Sequence, residues 1–138
     1  MEPDAAARIA DLLSRTQRRL RRQVRRELGP LGVTPARLRA LWALSDGALR
    51  VSDLAERLDV VPRSATSVVD DLEAAGFVER RPDPEDRRAT FVDLTDEGAG
   101  LLRRLRASRR AGVAELLDRL SPDEQSDLIR LLAVLAGD

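Results

Sequence analysis

The stretch from Leu58 to Gly98 constrains the fold of this chain more than any other part of the sequence. Its first half predicts an amphipathic helix, because apolar residues recur at the i, i+3, i+4 and i+7 spacing of one helix face. That apolar face consists of Ala65, Val68, Val69 and Leu72. The opposite face carries short or cationic polar side chains, namely Arg63, Ser64, Thr66, Ser67 and Asp70. The helix is predicted to end at Gly76, because helices commonly end in a left-handed glycine.

The sequence after Gly76 predicts a β-hairpin. Residues 77–81 can form one strand and residues 88–94 can form its partner. The segment 82–87 between them contains two prolines and two aspartates, which favour a turn and do not continue a sheet. The basic residues of the hairpin are Arg80, Arg81, Arg87 and Arg88. A helix followed by a basic hairpin is typical of a winged helix-turn-helix, an architecture that binds double-stranded DNA.

Two short helices are predicted before this segment. Thr34-Pro35 favours a helix start, because Thr caps a helix well and Pro at the first helical position loses no hydrogen bond. Residues 49–51 can form a short extended segment that pairs with the hairpin, and Ser52 is predicted to cap the next helix. Only residues 59–61 connect that helix to the one described first. Two short helices joined so tightly predict a helix-turn-helix, whose second helix enters the major groove.

Long helices with apolar stripes are predicted at both ends of the chain. They span residues 4–28, a helix that Thr95 is predicted to cap and that runs to about Leu120, and the segment that follows the capping box at Ser121. One monomer offers too little surface to cover these stripes, so we predict a homodimer in which two chains cover them mutually. The interface residues are predicted to be Ile9, Leu13, Leu20, Leu116, Leu120, Leu128, Leu131, Leu132 and Leu135. Such a dimer presents two recognition helices about one DNA turn apart.

The predicted fold class is therefore mainly α with a small β-hairpin wing. The chain, residues 1–138, is interpreted as a winged helix-turn-helix DNA-binding region at 32–96 and a helical dimerisation region made of 4–30 and 97–138. A length of 138 residues suits one compact domain with additional helices.

The composition argues against an enzyme. The chain has no cysteine, no histidine and no tyrosine, which excludes thiol chemistry and removes the commonest metal ligand and general base. We therefore predict no catalytic residue, no cofactor and no metal site. No apolar run approaches the roughly 18 residues of a membrane-spanning helix, and the N-terminus lacks the apolar core of a secretory signal. A cytoplasmic location without membrane association is predicted.

The charges are balanced, with 24 arginines, no lysine and 24 acidic residues. Affinity for DNA must therefore come from the local placement of arginines, because contacts to phosphates and base edges are local. Residues 15–26 hold seven arginines and no acid. We interpret this run as the solvated face of the first helix, in preference to a surface for phosphates or anionic lipids.

The order of these elements and the residues of the wing resemble the MarR (multiple antibiotic resistance regulator) family of bacterial transcription factors. The most specific likeness is the segment Asp83–Arg88, of sequence DPEDRR, followed by Leu94-Thr95 and Gly98. These residues resemble the wing signature of the family. The passage from helix to wing also matches, at Leu72, Gly76, Val78 and Arg80. Six helices in this order extend the resemblance over nearly the whole chain.

The resemblance implies a homodimer formed through the terminal helices, which binds a palindromic operator, usually as a repressor, and is released by a small-molecule effector. It implies that the residues facing the major groove are Arg63, Ser64, Thr66 and Ser67. It implies that Arg87 and Arg88 lie at the wing, one of them reaching the minor groove, with Asp86 bracing an arginine. Independently of the resemblance, the basic residues of the hairpin can hold phosphates or enter a narrow minor groove, namely Arg80, Arg81, Arg87 and Arg88. Their charge can also be balanced within the hairpin by Glu79, Asp83, Glu85 and Asp86. Trp42 is predicted to belong to the core, and a family-type ligand pocket can also use it.

The chain departs from the family pattern at the recognition helix. Pro62 lies where a polar or basic residue is frequent, Val61 replaces a polar helix cap, and Asp70-Asp71 adds negative charge where arginine is common. Pro62 and Asp70-Asp71, together with the zero net charge, support an alternative function as a winged-helix protein–protein interaction module without specific DNA binding. Loss of DNA binding on substitution of Arg63 and Arg88 distinguishes the regulator from this module.

Two sets of residues have competing interpretations. Arg63 near a helix start can contact guanine through two hydrogen bonds, or it can be an ordinary solvated arginine; the surrounding motif favours the DNA contact. The carboxylates of the hairpin loop, Asp83, Glu85 and Asp86, can suggest a Mg²⁺ or Ca²⁺ loop. Their spacing is poor for such a site and two prolines stiffen the loop, so the metal interpretation is disfavoured.

Overall fold

The computed structural model describes residues 3–138. Its helices are α1 (Pro3–Leu28), α2 (Pro35–Ala43), α3 (Val51–Leu58), α4 (Pro62–Ala74), α5 (Asp96–Leu117) and α6 (Pro122–Ala136). Its strands are β1 (Leu49–Arg50), β2 (Val78–Pro82) and β3 (Thr90–Leu94). The fold is mainly α with a small antiparallel sheet, which confirms the predicted fold class. No helix within residues 3–138 has the length and the apolar content that crossing a membrane requires.

The chain divides into two compact units. The winged unit is Arg25–Arg106, and it contains the whole of the region 32–96 that was predicted to bind DNA. The terminal unit consists of the chain up to Val24 together with Ala107–Asp138.

The winged unit encloses a tight apolar core. The large side chains with almost no exposed surface are Leu41, Leu44, Leu54, Leu72, Val69, Val78 and Val92. They come from α2, the 3₁₀ turn that begins at Leu44, α3, α4 and the sheet, so these elements share one apolar interior. The sheet has the order β1-β3-β2, with Leu49 opposite Val92 and Val78 opposite Leu94.

The terminal unit packs α1 against α5 at a glycine. Gly112 of α5 lies so close to α1 that an added Cβ would be 2.5 Å from the Gln23 Oε1 atom and 3.5 Å from Leu20. Among the described residues of this unit, no large apolar side chain is fully buried. Eight large apolar side chains are instead exposed, namely Ile9, Leu12, Leu13, Ile129, Leu131, Leu132, Val134 and Leu135.

Local capping signals predicted three helix starts correctly. The Thr34 hydroxyl accepts a hydrogen bond from the Arg37 N–H at 3.3 Å, and the Thr95 hydroxyl accepts one from the Gly98 N–H at 3.1 Å. Ser121 forms the predicted capping box at the start of α6. Each of these caps depends on residues within one turn, which is why sequence alone reveals them.

Two helix boundaries differ from the prediction. The predicted cap at Ser52 is wrong: α3 begins at Val51, because Arg50 at the end of β1 is itself the extended residue that precedes the helix. The predicted end of α5 near Leu120 is also wrong. The helix ends at Leu117, and the Leu120 N–H bonds the Leu117 carbonyl in a turn that leads into α6.

The hairpin strands are offset from their predicted limits. β2 continues through Pro82, which lies opposite Thr90. Proline is tolerated there because β2 is an edge strand, whose outer side needs no donor. β3 begins at Thr90, so Arg88 lies in the loop and not in the strand, contrary to the prediction.

Candidate nucleic-acid interface

The helix-turn-helix consists of α3 and α4, joined by Asp59, Val60 and Val61. Asp59 adopts a left-handed conformation with φ of 53°, and the Val60 N–H then bonds the Ala55 carbonyl at 3.1 Å. Val61 is extended, as the residue before a proline usually is, and Pro62 begins α4. The tight turn therefore arises from one left-handed residue and one proline.

The recognition helix α4 has the two faces that its sequence predicted. Ala65, Val69 and Leu72 are buried in the winged unit. The predicted DNA-contacting residues Arg63, Ser64, Thr66 and Ser67 are all exposed. The helix thus presents a polar surface that is not used for packing.

The polar groups at the start of α4 are available to an external ligand. Among residues 3–138, no side chain or carbonyl holds the Arg63 guanidinium. Val61 gives the helix no side-chain cap, because valine has no acceptor. The Thr66 hydroxyl donates to the Pro62 carbonyl at 3.0 Å, which leaves its lone pairs free to accept. Pro62 has no N–H and the Ser64 N–H bonds the Val61 carbonyl at 3.0 Å, so the Arg63 N–H is the donor without a cap in this first turn. A helix start of this kind, with an arginine beside it, suits an anionic ligand.

The two adjacent aspartates of α4 are neutralised inside the winged unit. Asp71 lies 2.8 Å from the Arg37 guanidinium of α2, which also donates to the Gly32 carbonyl at 2.6 Å. Asp70 pairs with Arg80 of β2. The negative charge of Asp70-Asp71, which appeared in the sequence as a departure from the family pattern, therefore has arginine partners from neighbouring elements.

Arg80 joins the recognition helix to the wing. Its backbone N–H donates to Glu73 Oε2 at 3.0 Å, its Nη1 donates to Glu73 Oε1 at 2.8 Å, and its Nη2 donates to Asp70. Burial lowers the pKa of Arg80, but the hydrogen bonds to Asp70 and then Glu73 outweigh burial and raise the pKa above its ordinary value. The guanidinium is therefore charged at every physiological pH.

The base of the wing loop contains an ion pair that sequence reasoning missed. The Asp83 side chain is only 2% exposed, and its Oδ2 atom lies 2.6 Å from Arg50 Nη2, a close contact of charges without the alignment of a hydrogen bond. Asp83 Oδ1 accepts from the Glu85 N–H at 2.9 Å, and Arg50 also lies over the Phe91 ring at 5.7 Å. No local pattern predicts this pair, because the pairing of β1 with β3 brings Arg50 to the wing.

The same ion pair bears on the metal interpretation of the hairpin loop. Asp83 faces Arg50 and is buried, so it does not form an open carboxylate ligand with Glu85 and Asp86. Within residues 3–138, no group of three or more acidic side chains is arranged to hold a metal ion.

Asp86 contacts the backbone of the wing loop. Its Oδ1 atom accepts from the Arg88 N–H at 2.9 Å, and its carbonyl accepts from the Ala89 N–H at 3.1 Å. The sequence predicted that Asp86 braces an arginine; the contact is to the main chain of Arg88 and not to a guanidinium. It shapes the turn that carries the side chains of Arg87 and Arg88.

The four predicted wing arginines fall into two classes. Arg87 and Arg88 are exposed, and within residues 3–138 no hydrogen bond or ion pair holds either guanidinium. Arg81 is exposed but pairs with Asp93 of the neighbouring strand, and Arg80 is held by α4. The loop arginines therefore resemble Arg63 in being free to bind a phosphate, whereas Arg80 and Arg81 already have carboxylate partners.

Gly98 fixes the start of α5 against the wing. An added Cβ at Gly98 would lie 2.0 Å from the Phe77 carbonyl oxygen, closer than any side chain can come. The Thr95 hydroxyl donates to the Gly76 carbonyl, and the Thr95 N–H bonds the Phe77 carbonyl at 3.1 Å. The Leu94-Thr95 and Gly98 signature thus secures the turn after α4, where Gly76 has the predicted left-handed conformation with φ of 82°.

The predicted interface residues lie in the terminal unit with their apolar surfaces partly or largely open. The exposed members are Ile9, Leu13, Leu131, Leu132 and Leu135. The half-buried members are Leu20, Leu116, Leu120 and Leu128. None of the nine is fully buried within the single described chain.

An open hollow of about 550 Å³ lies on the winged unit. It is lined by Leu31, Phe77, Glu97, Gly100, Leu101, Arg103 and Arg104. Volumes of this order are usual for small-molecule sites, and the rim has both cations and a carboxylate. Trp42, which the sequence assigned to the core, is only half-buried and stacks with Arg106 at 5.2 Å from the ring centre.

Comparison with known proteins gives one consistent result. A family model described as the MarR family matches residues 31–89. The transcriptional repressor MdtR of Bacillus subtilis is 38% identical over 106 residues, which cover 76% of this chain and 68% of that protein. An uncharacterised helix-turn-helix transcriptional regulator of Mycobacterium bovis, Mb0904, is 38% identical over 133 residues, which cover 96% of this chain and 92% of that one.

Solved structures show the same similarity in three dimensions. The YusO protein of Bacillus subtilis is 32% identical with a TM-score of 0.79, over 97% of this chain and 93% of that one. RV1404 of Mycobacterium tuberculosis is 27% identical with a TM-score of 0.85, over 99% and 94%. The ligand-free MarR of E. coli is 27% identical with a TM-score of 0.75, over 91% and 94%.

Proposed function

The chain belongs to the MarR family of transcriptional regulators, and from this premise we propose that it is a homodimeric repressor that binds a palindromic operator and is released by a small molecule. Proteins of this family are DNA-binding regulators and not enzymes. The observation that carries the proposal is the free polar face of α4, with an unpaired Arg63 at its start, beside a wing loop whose Arg87 and Arg88 are also unpaired.

Recognition divides between these two elements. Arg63, at the start of α4, donates two hydrogen bonds to a guanine edge in the major groove, and Ser64 and Ser67 contact neighbouring base edges or phosphates. Arg87 and Arg88 bind the backbone beside the wing or enter a narrow minor groove, where the negative potential is strongest. Arg81 contributes less, because its guanidinium is shared with Asp93.

Dimerisation through the terminal unit explains its exposed apolar residues. Leu131, Leu132 and Leu135 lie along α6, and Ile9 and Leu13 lie along α1, all with large exposed fractions in the single chain. A second copy that covers this surface removes an apolar patch that a monomer would not leave in water. A two-fold dimer then places two recognition helices on two half-sites, which is why the operator is proposed to be palindromic.

Repression and its release complete the proposal. MdtR, which is 38% identical, bears the name of a repressor, and a repressor needs only to occupy DNA that the polymerase requires. The hollow lined by Phe77, Leu101 and Arg104 is the candidate effector site. An effector releases DNA only if it binds better to a conformation with a different spacing of the recognition helices. The protein acts in the cytoplasm, where bacterial DNA lies.

The first experiment is selection of binding sites from randomised duplex DNA with purified protein at two salt concentrations. A repressor dimer enriches a palindrome whose half-sites are about one helical turn apart. Strong salt dependence without enrichment would reduce the function to nonspecific phosphate binding. No binding at either salt would favour the interaction module, although the ion pairs of Asp70 and Asp71 remove part of the reason for that alternative.

A matched pair of variants tests the roles of residues. Arg63→Ala is expected to lose preference for the selected sequence, at a cost of roughly 1–3 kcal/mol of binding free energy. Arg39→Ala is the control, because Arg39 is also an exposed arginine of the winged unit but lies on α2. Equal effects of the two substitutions would contradict the role proposed for Arg63.

A further inference from the structure

We propose that Arg80 is a positioning residue that fixes the recognition helix to the wing, and that it does not bind phosphate. This inference rests on the proposed DNA-binding function and refines it. It reverses the phosphate-binding role that the sequence suggests for Arg80, and it gives Asp70 and Glu73 a function.

Three hydrogen bonds join Arg80 to Asp70 and Glu73 of α4, and this cluster of three residues is called the clamp. Glu73 accepts from both the backbone N–H and the Nη1 of Arg80, at 3.0 and 2.8 Å, and Asp70 accepts from Nη2. Asp70 and Glu73 are three residues apart, so they lie on one face of α4. A guanidinium is a planar fork that two carboxylates can hold in one orientation. The Arg80 side chain is 27% exposed, so most of it is covered.

The charges argue against a phosphate contact. Two carboxylates surround one guanidinium, so this cluster carries a net negative charge and repels a phosphate. Turning Arg80 towards DNA would also leave Asp70 and Glu73 without their partner. Arg88 differs, because within residues 3–138 no acidic side chain contacts its guanidinium.

The clamp joins the two elements that must contact DNA together. Arg80 belongs to β2, which leads into the wing loop, and its partners belong to the recognition helix. Base contacts by α4 and backbone contacts by the wing are strong only when both elements are held in the productive geometry. Loss of the clamp should therefore reduce binding to the correct operator more than binding to other DNA.

The test compares Arg80→Gln with Arg88→Gln on the selected operator duplex and on a scrambled duplex, over a series of salt concentrations. For Arg80→Gln we expect operator affinity to fall about tenfold, scrambled affinity to fall much less, and the salt slope to stay unchanged. For Arg88→Gln we expect both affinities to fall and the slope of log K against log salt to decrease by about 0.9, as for one lost phosphate contact.

A second pair of variants keeps Arg80 in place. Asp70→Asn with Glu73→Gln releases the guanidinium, so we expect lower operator preference, higher affinity for scrambled DNA and a steeper salt slope. Asp71→Asn is the control, because it lies on the same helix but pairs with Arg37 of α2; its operator preference relative to scrambled DNA should be that of the wild type. If Arg80→Gln fails to fold, as judged by circular dichroism, this pair decides the question.

Several outcomes overturn the inference. A salt slope reduced by about 0.9 in Arg80→Gln would identify Arg80 as a phosphate contact. Unchanged operator preference in either clamp variant would make the cluster an ordinary surface ion pair. If the wild-type protein prefers no duplex, the proposed function fails and this inference fails with it; if only the clamp variants behave as phosphate-contact variants, the inference alone fails.

Discussion

The winged unit and the terminal unit bury their apolar side chains in opposite ways. In the winged unit, leucines such as Leu54 and Leu72 have at most 1% of their surface exposed. In the terminal unit, Ile129 and Leu135 are 71% and 76% exposed, and none of the described large apolar side chains reaches full burial. Both units contain helices with apolar residues, so the difference lies in what covers those residues.

This difference indicates how the two proposed functions, DNA binding and dimerisation, are divided between the units. The winged unit has a core of its own, supplied by three helices and a sheet, and so can hold a DNA-contacting face without help. The terminal helices have apolar stripes without enough partner surface in one chain. On the proposed dimer, the core of the terminal unit is completed only by a second copy, which makes its stability depend on protein concentration.

The largest difference in stability is expected between two leucine-to-alanine variants, one in each unit. Leu72→Ala should destabilise the protein by about 2–5 kcal/mol, because it leaves a cavity in a closed core. Leu135→Ala removes the same atoms from an exposed position and should change the stability of the single chain by less than about 0.5 kcal/mol. Urea denaturation at low protein concentration measures both values. Equal costs would mean that the terminal unit is already packed in the monomer.

The next prediction concerns the exposed apolar face of α6 in the terminal unit, which is proposed to form the dimer interface. Leu131→Glu with Leu135→Glu places two charges on the exposed apolar face of α6 and should weaken dimerisation at least about 100-fold. Sedimentation over a range of concentrations measures this shift, and circular dichroism should show retained helices. The control is Arg130→Glu, which also adds a negative charge to α6 but replaces an exposed polar side chain rather than an apolar one. A dimer that survives the double substitution would place the interface elsewhere.

Gly98 and Gly112 can be compared by substitution with alanine, because the added Cβ would meet backbone at Gly98 and a side chain at Gly112. Gly98→Ala in the winged unit should cost roughly 1–3 kcal/mol, because the obstacle is the Phe77 carbonyl at 2.0 Å and backbone cannot move aside easily. Gly112→Ala in the terminal unit meets the end of the flexible Gln23 side chain, and alanine favours the helix, so its cost should be near zero. Thermal melts of the two variants measure the difference. Similar melting temperatures would contradict the close approach at Gly98.

The smallest effect is expected at the Arg50–Asp83 pair. Arg50→Ala leaves the buried Asp83 carboxylate without its partner, which should cost about 1–2 kcal/mol, less than a fully buried pair because Arg50 is 40% exposed. Asp83→Asn combined with Arg50→Ala should recover part of that loss, since no buried charge is then unpaired. Chemical denaturation of the single and double variants measures the coupling. Additive losses would show that the two residues act independently.

Much of the fold was predictable because its signals are local. The apolar face of α4, the caps at Thr34, Thr95 and Ser121, and the left-handed Gly76 each depend on a few neighbouring residues. Errors occurred where elements meet. Ser52 looked like a helix cap, but the strand before it ends in the extended Arg50, so α3 begins two residues earlier than a cap at Ser52 would place it.

The candidate interface was predictable in part for the same reason. The exposed side of α4, with Arg63 and its hydroxyl neighbours, follows from helical periodicity once the buried side is recognised. The state of each wing arginine does not follow from periodicity. Arg80 and Arg88 look alike in the sequence, yet one is held by α4 and the other is free among the described residues.

The sequence by itself determined which helices and strands form and in what order, which of their faces are apolar and which family the chain belongs to, because periodicity, capping and motif spacing are carried by neighbouring residues. The tertiary structure alone decided which charges are paired. Arg50 meets Asp83, Arg80 meets Asp70 and Glu73, and Arg37 meets Asp71. Except for the Arg80 contacts, which span seven to ten residues, these pairs join residues more than thirty positions apart, and all depend on how separate elements pack. Coulombic attraction acts on the final distance between charges and not on their separation along the chain.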